Sequence, residues 1–203
     1  MNFDWHNPYA TVRSPVFARN VVSTSHPLAS QAGLRMLLQG GNAIDAAIAA
    51  AAALTIVEPV SNGLGSDLFA ILWDGDGLLG LNASGVAPAT WDRAYFERRH
   101  GGALPVRGWD AVTVPGAVAG WMALSARCGQ LPFGDLLQPA IELAERGHGV
   151  ACIVADKWAR QVPLLQSQPG FAEAFMPPCG IEPRSGVAEH SAAQRRLPVC
   201  PSE

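Results

Sequence analysis

Few of the residues in this 203-residue chain that could perform chemistry are spaced as catalytic or metal-binding motifs require. Five histidines are scattered along it: His6, His26, His100, His148 and His190. No two of them have the i, i+4 spacing that places metal ligands on one helix face. Four cysteines would by number allow a zinc site or a disulfide framework: Cys128, Cys152, Cys179 and Cys200. They lack C-x-x-C spacing, so we predict no metal site and no cofactor.

Two further features could be functional. The glycine-rich turn at residues 63–67 (GLGSD) could bind phosphate, but a dinucleotide loop follows a strand and opens a helix, whereas this turn follows a predicted helix. We therefore interpret it as a tight helix-to-strand connection. Asp45 could be catalytic, but a carboxylate in the first turn of a helix also has a capping role, which we favour. No G-x-S-x-G sequence is present, although residue order alone leaves a Ser-His-Asp triad open.

Of these candidates, His26, Asp45 and the turn at residues 63–67 lie in the stretch 25–67, which is predicted to form two consecutive helices before the turn. The first is predicted over residues 27–38, with Ser25 as its N-cap, a proline in its first turn and Gly40-Gly41 after its end. The second runs from Ala43 to about residue 57 behind an Asn42 cap. It is alanine on nearly every face, which is typical of a helix in a protein interior.

The rest of the chain alternates short strands and helices. Strands are predicted at residues 20–24, 68–73 and 78–81, the last two joined as a hairpin by the sequence Asp-Gly-Asp-Gly. Helices are predicted at about 93–99, 117–128, 134–146 and 151–166. Residues 1–19 are expected to form an irregular arm. Residues 177–203 are proline-rich without an apolar period, and we expect a disordered or non-native tail.

The composition indicates a core-rich globular protein. Apolar residues make up 49% of the chain and charged residues only 15%, against about 25% in a typical soluble domain, so more protein is expected to cover part of the surface.

The net charge of −3 and the absence of a basic cluster predict no nucleic-acid partner. The alanine-rich run is shorter than the roughly 20 residues that span a bilayer, so no membrane is predicted. The first twenty residues lack the apolar core of an export signal, which favours a cytoplasmic protein.

Five motifs, in order between about residues 20 and 175, resemble those of one family. They are SHPLASQAG, LLQGGNAIDAAIAAAAAL, VEPVSNGLGSD, TVPGAVAGW and LPFGDLLQPAIELAERG. They resemble the N-terminal, large-subunit portion of the γ-glutamyltranspeptidases, in the cytoplasmic, bacterial branch. The resemblance implies an α/β (α+β) fold: part of the αββα sandwich of an N-terminal-nucleophile hydrolase, incomplete over residues 20–176.

The resemblance also implies an activity. Members of this family are proenzymes that cut themselves and expose a threonine, whose own α-amine serves as the base. That threonine attacks the γ-glutamyl amide of glutathione-type substrates and passes the acyl group to water or to an amino acid. In this chain the threonines are Thr11, Thr24, Thr55, Thr90 and Thr113. None begins a Thr-Thr-His motif, so no catalytic residue is predicted here, and the partner is the missing C-terminal half that carries the nucleophile.

Substrate binding departs from the family pattern at one position. The resemblance implies an arginine shortly before an Ala-Pro pair, which holds the α-carboxylate of the glutamyl group through a bidentate contact. The corresponding position is Ser84, or Val86 in the branch with Ser-Gly-Arg-Ala-Pro. Ser84 is the candidate substrate-binding residue, but neither side chain can pair with a carboxylate.

The sequence therefore predicts the N-terminal fragment of a γ-glutamyltransferase-like amidohydrolase that is inactive alone. Two alternatives stay open. One is an acylase-type amidohydrolase of the same superfamily. The other is a non-catalytic scaffold half that pairs with a separately encoded C-terminal chain.

Overall fold

A computed structural model describes residues 15–176. In chain order its elements are α1 (Pro27–Leu38), α2 (Ala43–Val57), β1 (Leu68–Trp73), β2 (Leu78–Ala83), α3 (Arg93–His100), α4 (Ala117–Cys128), α5 (Phe133–Arg146), α6 (Cys152–Leu165) and α7 (Phe171–Phe175), with a 3₁₀ turn at Trp109–Ala111 before α4. They form two compact units: the helical unit, residues 15–62 with 130–176, and the hairpin unit, residues 63–129. Among these elements, no helix is long and apolar enough to cross a membrane.

Most of the predicted helices and the hairpin are confirmed, with bounds that agree to within two residues. The 3₁₀ turn and α7 were not predicted. The arm predicted at 1–19 and the tail predicted at 177–203 lie outside the described residues, apart from 15–19, which form neither helix nor strand.

Two predictions at the start of α1 are wrong. Residues 20–24 form no strand, because Thr24 instead begins a turn: its hydroxyl donates to the His26 carbonyl (2.7 Å) and accepts from the His26 N–H (3.3 Å). The N-cap of α1 is His26 rather than Ser25. The Nδ1 atom of His26 accepts the Leu28 N–H (3.2 Å), while the Ser25 hydroxyl donates to Glu58 (2.8 Å).

Small residues bring the helices of the helical unit close together. A Cβ atom placed on Gly33 of α1 would lie 2.8 Å from the Ala46 carbonyl oxygen of α2, so a side chain there would push the two helices apart. The core of this contact is Ala29, Ala32 and Ala53, all fully or almost fully buried. α2 also packs against α5. Its burial confirms the interior position that its alanine content predicts.

Asp45 is the most buried polar residue of the helical unit, with 0% of its surface exposed. It completes a capping box, because its carboxylate accepts the Asn42 N–H (2.9 Å) while the Asn42 side chain accepts the Asp45 N–H (3.2 Å). The same carboxylate also accepts the N–H groups of Gln130 (3.1 Å) and Leu131 (3.3 Å). Asp45 therefore joins the start of α2 to the loop before α5, which is more than the predicted cap.

The hairpin unit is built on two antiparallel strands. Their register pairs Phe69 with Asn82 and Trp73 with Leu78, across the turn at residues 74–77. Asp74 stabilises this turn, since its Oδ1 accepts two backbone N–H groups, from Asp76 (3.0 Å) and from residue 77 (2.9 Å). These donors favour the charged carboxylate and lower the pKa of Asp74.

One face of the hairpin is covered by α4. A Cβ atom on Gly120 would lie 2.5 Å from Leu68 Cδ2 and 2.8 Å from the Ala83 methyl group, so the helix backbone rests directly on the strands. Trp121 and Leu124 of α4 are buried in the same unit.

Candidate functional site

The structure brings together three sequence motifs within the hairpin unit. They are the glycine turn at residues 63–67, the segment 82–88 that follows β2, and the segment 113–117 that leads into α4. In the sequence these motifs are separate, at residues 63–67, 82–88 and 113–117. Their proximity is a tertiary fact that spacing along the chain does not reveal.

The segment around Ser84 lies alongside residues 113–114. The Ser84 N–H donates to Asn82 Oδ1 (3.0 Å), and its carbonyl accepts the Thr113 hydroxyl (3.3 Å). Two residues on, the Val86 carbonyl accepts the Val114 N–H (3.0 Å). The half-buried Ser84 is thus held through its backbone.

Two glycines make this close approach possible. Gly85 has a φ of +75°, which side-chain-bearing residues rarely adopt, and a Cβ atom there would overlap the Val114 carbonyl oxygen. A Cβ atom on Gly116 would overlap the Ala83 carbonyl oxygen. The glycines of LNASGVAP and TVPG therefore allow the two segments to be in backbone contact.

The glycine turn is attached to the same place through the N-terminus of α4. The N–H groups of Gly116 and Ala117 both donate to the Ser66 carbonyl (3.3 and 2.9 Å). Inside the turn, the Ser66 hydroxyl donates to the Gly63 carbonyl (2.5 Å). N–H groups at a helix N-terminus can bind an anion, but these two already donate to the Ser66 carbonyl. This supports the connecting role predicted for the turn over phosphate binding.

The site offers backbone groups and neutral side chains to a ligand. Val86 is 70% exposed and Ser84 is half-buried, so both candidate clamp positions border accessible surface. Neither carries the guanidinium that would bind a carboxylate in a bidentate manner.

A cluster of polar side chains lies near this site in the sequence. Asp110, in the 3₁₀ turn, accepts hydrogen bonds from Tyr95 Oη and His100 Nε2 of α3 and pairs with Arg99, each at 2.7 Å. These donors lower the pKa of Asp110, and the bond to its carboxylate raises the pKa of Tyr95. The cluster anchors the backbone at Asp110, three residues before Thr113. The spacing of these residues in the sequence did not indicate that they meet.

Two of the three described histidines also pair in a way that the sequence did not predict. His26 and His148 of the helical unit lie with ring centroids 6.4 Å apart. Burial lowers the pKa of both, and for His148 the nearby His26 acts in the same direction. In the described part of the chain, no three histidine, cysteine or acidic side chains come together as metal ligands would. His6, His190, Cys179 and Cys200 lie outside it, as does Thr11.

The profile of the family described as gamma-glutamyltranspeptidase matches residues 29–192 of this chain. The chain belongs to the γ-glutamyltranspeptidase family. The match continues beyond Met176 into the segment predicted to be a tail. It includes all three segments of the candidate site.

Individual γ-glutamyltranspeptidase relatives support this assignment. The Acylase ACY 1 proenzyme of Pseudomonas sp. (strain SE83) is 42% identical over 79% of this chain and 30% of its own length. The structure of a cephalosporin acylase from Bacillus halodurans superimposes with a TM-score of 0.74 and 41% identity, covering 88% of this chain and 35% of that one. The γ-glutamyltranspeptidase of Helicobacter pylori also gives a TM-score of 0.74, at 30% identity, over 80% of this chain and 48% of that one.

These similarities establish the fold of the chain and the portion of the family protein to which it corresponds. The chain is the N-terminal portion of a γ-glutamyltranspeptidase-family protein, with the mixed helices and strands of that fold. It spans about a third of the length of the ACY 1 proenzyme.

Proposed function

We propose that this chain is the substrate-binding portion of an amidohydrolase whose nucleophile lies in the remainder of the family fold. The proposal rests on the family match and on the convergence of three motifs at Ser84. The threonine hydroxyl of the C-terminal portion adds to the amide carbonyl, with its own α-amine taking the proton. The C–N bond then breaks, the amine leaves with that proton, and water or an amino acid takes the acyl group.

The two portions have separate roles. Binding and orientation without a nucleophile leave only weak residual catalysis, so this chain alone is proposed to be inactive. The segment 84–86, held against 113–114, forms one wall for the acyl group. The αββα sandwich is completed only when the C-terminal portion is present, and we place the assembled enzyme in the cytoplasm.

Within this reaction class, the neutral clamp positions favour an acylase over a γ-glutamyl enzyme. A γ-glutamyl donor carries an α-carboxylate, and burying that charge without a cationic partner is costly. Ser84 and Val86 supply no such partner. The two acylases are more than 40% identical to this chain, against 30% for the Helicobacter pylori γ-glutamyltranspeptidase. We therefore propose an uncharged or distally charged acyl group as the substrate.

The experiment is reconstitution with a relative's C-terminal portion. This chain would be co-expressed with that portion of the Bacillus halodurans acylase and assayed with two chromogenic anilides, one γ-glutamyl and one of an uncharged acyl group of equal length. We expect turnover of the second by the complex, and none above a buffer blank by this chain alone.

A single substitution sharpens the test. Val86→Arg should raise turnover of the γ-glutamyl anilide relative to the neutral one by about tenfold or more, since a charged hydrogen bond contributes about 1.5–3 kcal/mol. Val106→Arg, at a position 87% exposed elsewhere in the hairpin unit, is the matched control and should change neither rate. A wild-type preference for the γ-glutamyl anilide would overturn the acylase assignment. A complex that forms but turns over neither anilide would favour the scaffold alternative.

A further inference from the structure

The chain that follows the clamp position Ser84 runs directly into α3. The Trp91 N–H donates to the Pro88 carbonyl (2.9 Å) in the turn before this helix. The Trp91 ring then meets Phe96, the buried aromatic residue of α3, edge to face with centroids 5.4 Å apart. α3 is therefore attached to the end of the segment 82–88 that borders the candidate site.

The return path from α3 to the site has no buried residue. Residues 101–115 are all exposed or half-buried, and burial resumes at Gly116. A stretch with few buried apolar contacts opens at low free-energy cost unless polar contacts hold it. The positions of Thr113 and Val114 therefore depend on hydrogen bonds and ion pairs.

Asp110 attaches this stretch to α3. Its carboxylate, with a side chain only 13% exposed, accepts from Tyr95 Oη and His100 Nε2 and pairs with Arg99 Nε, each at 2.7 Å. The Arg99 guanidinium in turn lies over the Tyr95 ring, 5.7 Å from its centroid. Hydrogen bonds to a charged group are stronger than neutral ones, and all three partners share this one carboxylate. Removing the Asp110 carboxylate would therefore release the stretch from α3.

The stretch ends on the two clamp positions. The Thr113 hydroxyl donates to the Ser84 carbonyl (3.3 Å), and the Val114 N–H donates to the Val86 carbonyl (3.0 Å). Three residues span at most about 11 Å, so Asp110 lies within that distance of Thr113.

We propose that Asp110 is a positioning residue, which holds residues 113–114 against 84–86 and so fixes the wall that receives the acyl group. The proposal rests on the proposed function for its substrate, and it adds the residue that sets how well this substrate binds.

This role differs from a contribution to stability alone. The wall contacts the acyl group before and during the reaction, so loosening it weakens ground-state and transition-state binding alike and raises KM with kcat nearly unchanged. A general loss of stability lowers the amount of active complex, and hence the apparent kcat, without changing KM. The two effects can be separated on one enzyme.

The first measurement is kinetic, on the complex of this chain with the C-terminal portion of the Bacillus halodurans acylase. With the anilide of an uncharged acyl group, Asp110→Ala should raise KM about tenfold while kcat changes by less than about twofold. Asp110→Asn keeps an acceptor oxygen but loses the charge, so its KM should lie between those of wild type and Asp110→Ala.

Asp92→Ala is the matched control. Asp92 caps the same helix, because its Oδ1 accepts the Tyr95 N–H (2.6 Å). Its loss should lower Tm without raising KM, since it weakens α3 but leaves the Asp110 carboxylate in place.

The second measurement needs no activity. Hydrogen–deuterium exchange of the full chain would follow the Val114 N–H, which should exchange about tenfold faster in Asp110→Ala than in Asp92→Ala. If Asp110→Ala is insoluble, Asp110→Asn carries both measurements, with smaller changes in the same direction.

The outcomes separate the positioning role from the proposed function. Equal exchange of the Val114 N–H in the Asp110 and Asp92 variants would overturn the proposal, and so would an unchanged KM in an active complex. Faster exchange in the Asp110 variants, with a wild-type complex that turns over neither anilide, would support the positioning of residues 84–86 while removing the proposed function.

Discussion

At the scale of single residues, the buried His26 and the half-buried His148 give the helical unit a pH dependence. Burial holds the pKa of His26 and of His148 below the ordinary 6.5, and within residues 15–176 the Nε2 atom of His148 has no hydrogen-bond partner. The facing carboxylate of Glu58 opposes this shift at His26 but does not cancel it. Both imidazoles are therefore neutral in the folded state at a pH where the unfolded chain already binds protons.

This arrangement predicts lower stability in mild acid. Below about pH 6.5 the unfolded state binds more protons than the folded state, so the free energy of unfolding falls as the pH falls towards the lowered folded pKa values. We expect the urea midpoint of wild type to drop between pH 7.5 and 5.5, and the drop to be smaller in His148→Phe. His26→Asn, which keeps a capping acceptor, should likewise reduce it. Equal slopes in wild type and both variants would contradict the prediction.

The sequence predicts the role of a residue when that role depends on its neighbours in the chain. It does not predict a role that depends on a residue far away in the sequence. Asn42 as a cap depends only on its neighbours, and it is confirmed. Ser25 was the wrong cap because its hydroxyl is bound by Glu58, a residue 33 positions away. The same limit applies to Asp45, whose additional donors come from Gln130 and Leu131.

At the scale of elements, α2 is the one most sensitive to added volume. Ala49 and Ala53 are completely buried, and α2 lies against both α1 and α5. Ala49→Leu or Ala53→Leu should lower the free energy of unfolding by about 1–3 kcal/mol, because a close-packed interior accommodates extra methylene groups only with strain.

The same helix supplies the control for that prediction. Ala47 is exposed, so Ala47→Leu changes the helix by the same side chain without overpacking it. Melting temperature and soluble yield of the three variants would be compared with wild type. Equal stability of all three would show that α2 is not a packing centre.

Helices were predictable where residues that favour helix ends mark their boundaries. Proline or asparagine at helix starts, and glycine beyond helix ends, located α1, α2 and α4 almost to the residue. The convergence at Ser84 was not predictable, because it depends on Gly85 and Gly116 allowing two distant backbones to approach. The role of Ser84 in substrate binding stays a prediction.

At the scale of the whole molecule, exposed apolar side chains should govern behaviour in solution. Phe69, Ile71 and Trp73 of β1 are exposed, and so are Phe17, Trp109 and Ile153. We expect this chain alone to bind a hydrophobic dye and to associate, with or without residues 177–203, and the C-terminal portion of a relative to suppress both. A monodisperse, dye-negative monomer would show that the described residues form a self-sufficient domain.

The bond from Asp45 to the loop before α5 has a consequence for synthesis on the ribosome. Its partners, Gln130 and Leu131, are 85 and 86 residues further along the chain. The whole hairpin unit, residues 63–129, must be translated between them. At about 5–20 residues per second, the alanine-rich surface of α2 waits several seconds for α5. The hairpin unit is completely synthesised at residue 129, before α5 (Phe133–Arg146), so it can fold before the helical unit has all of its own residues.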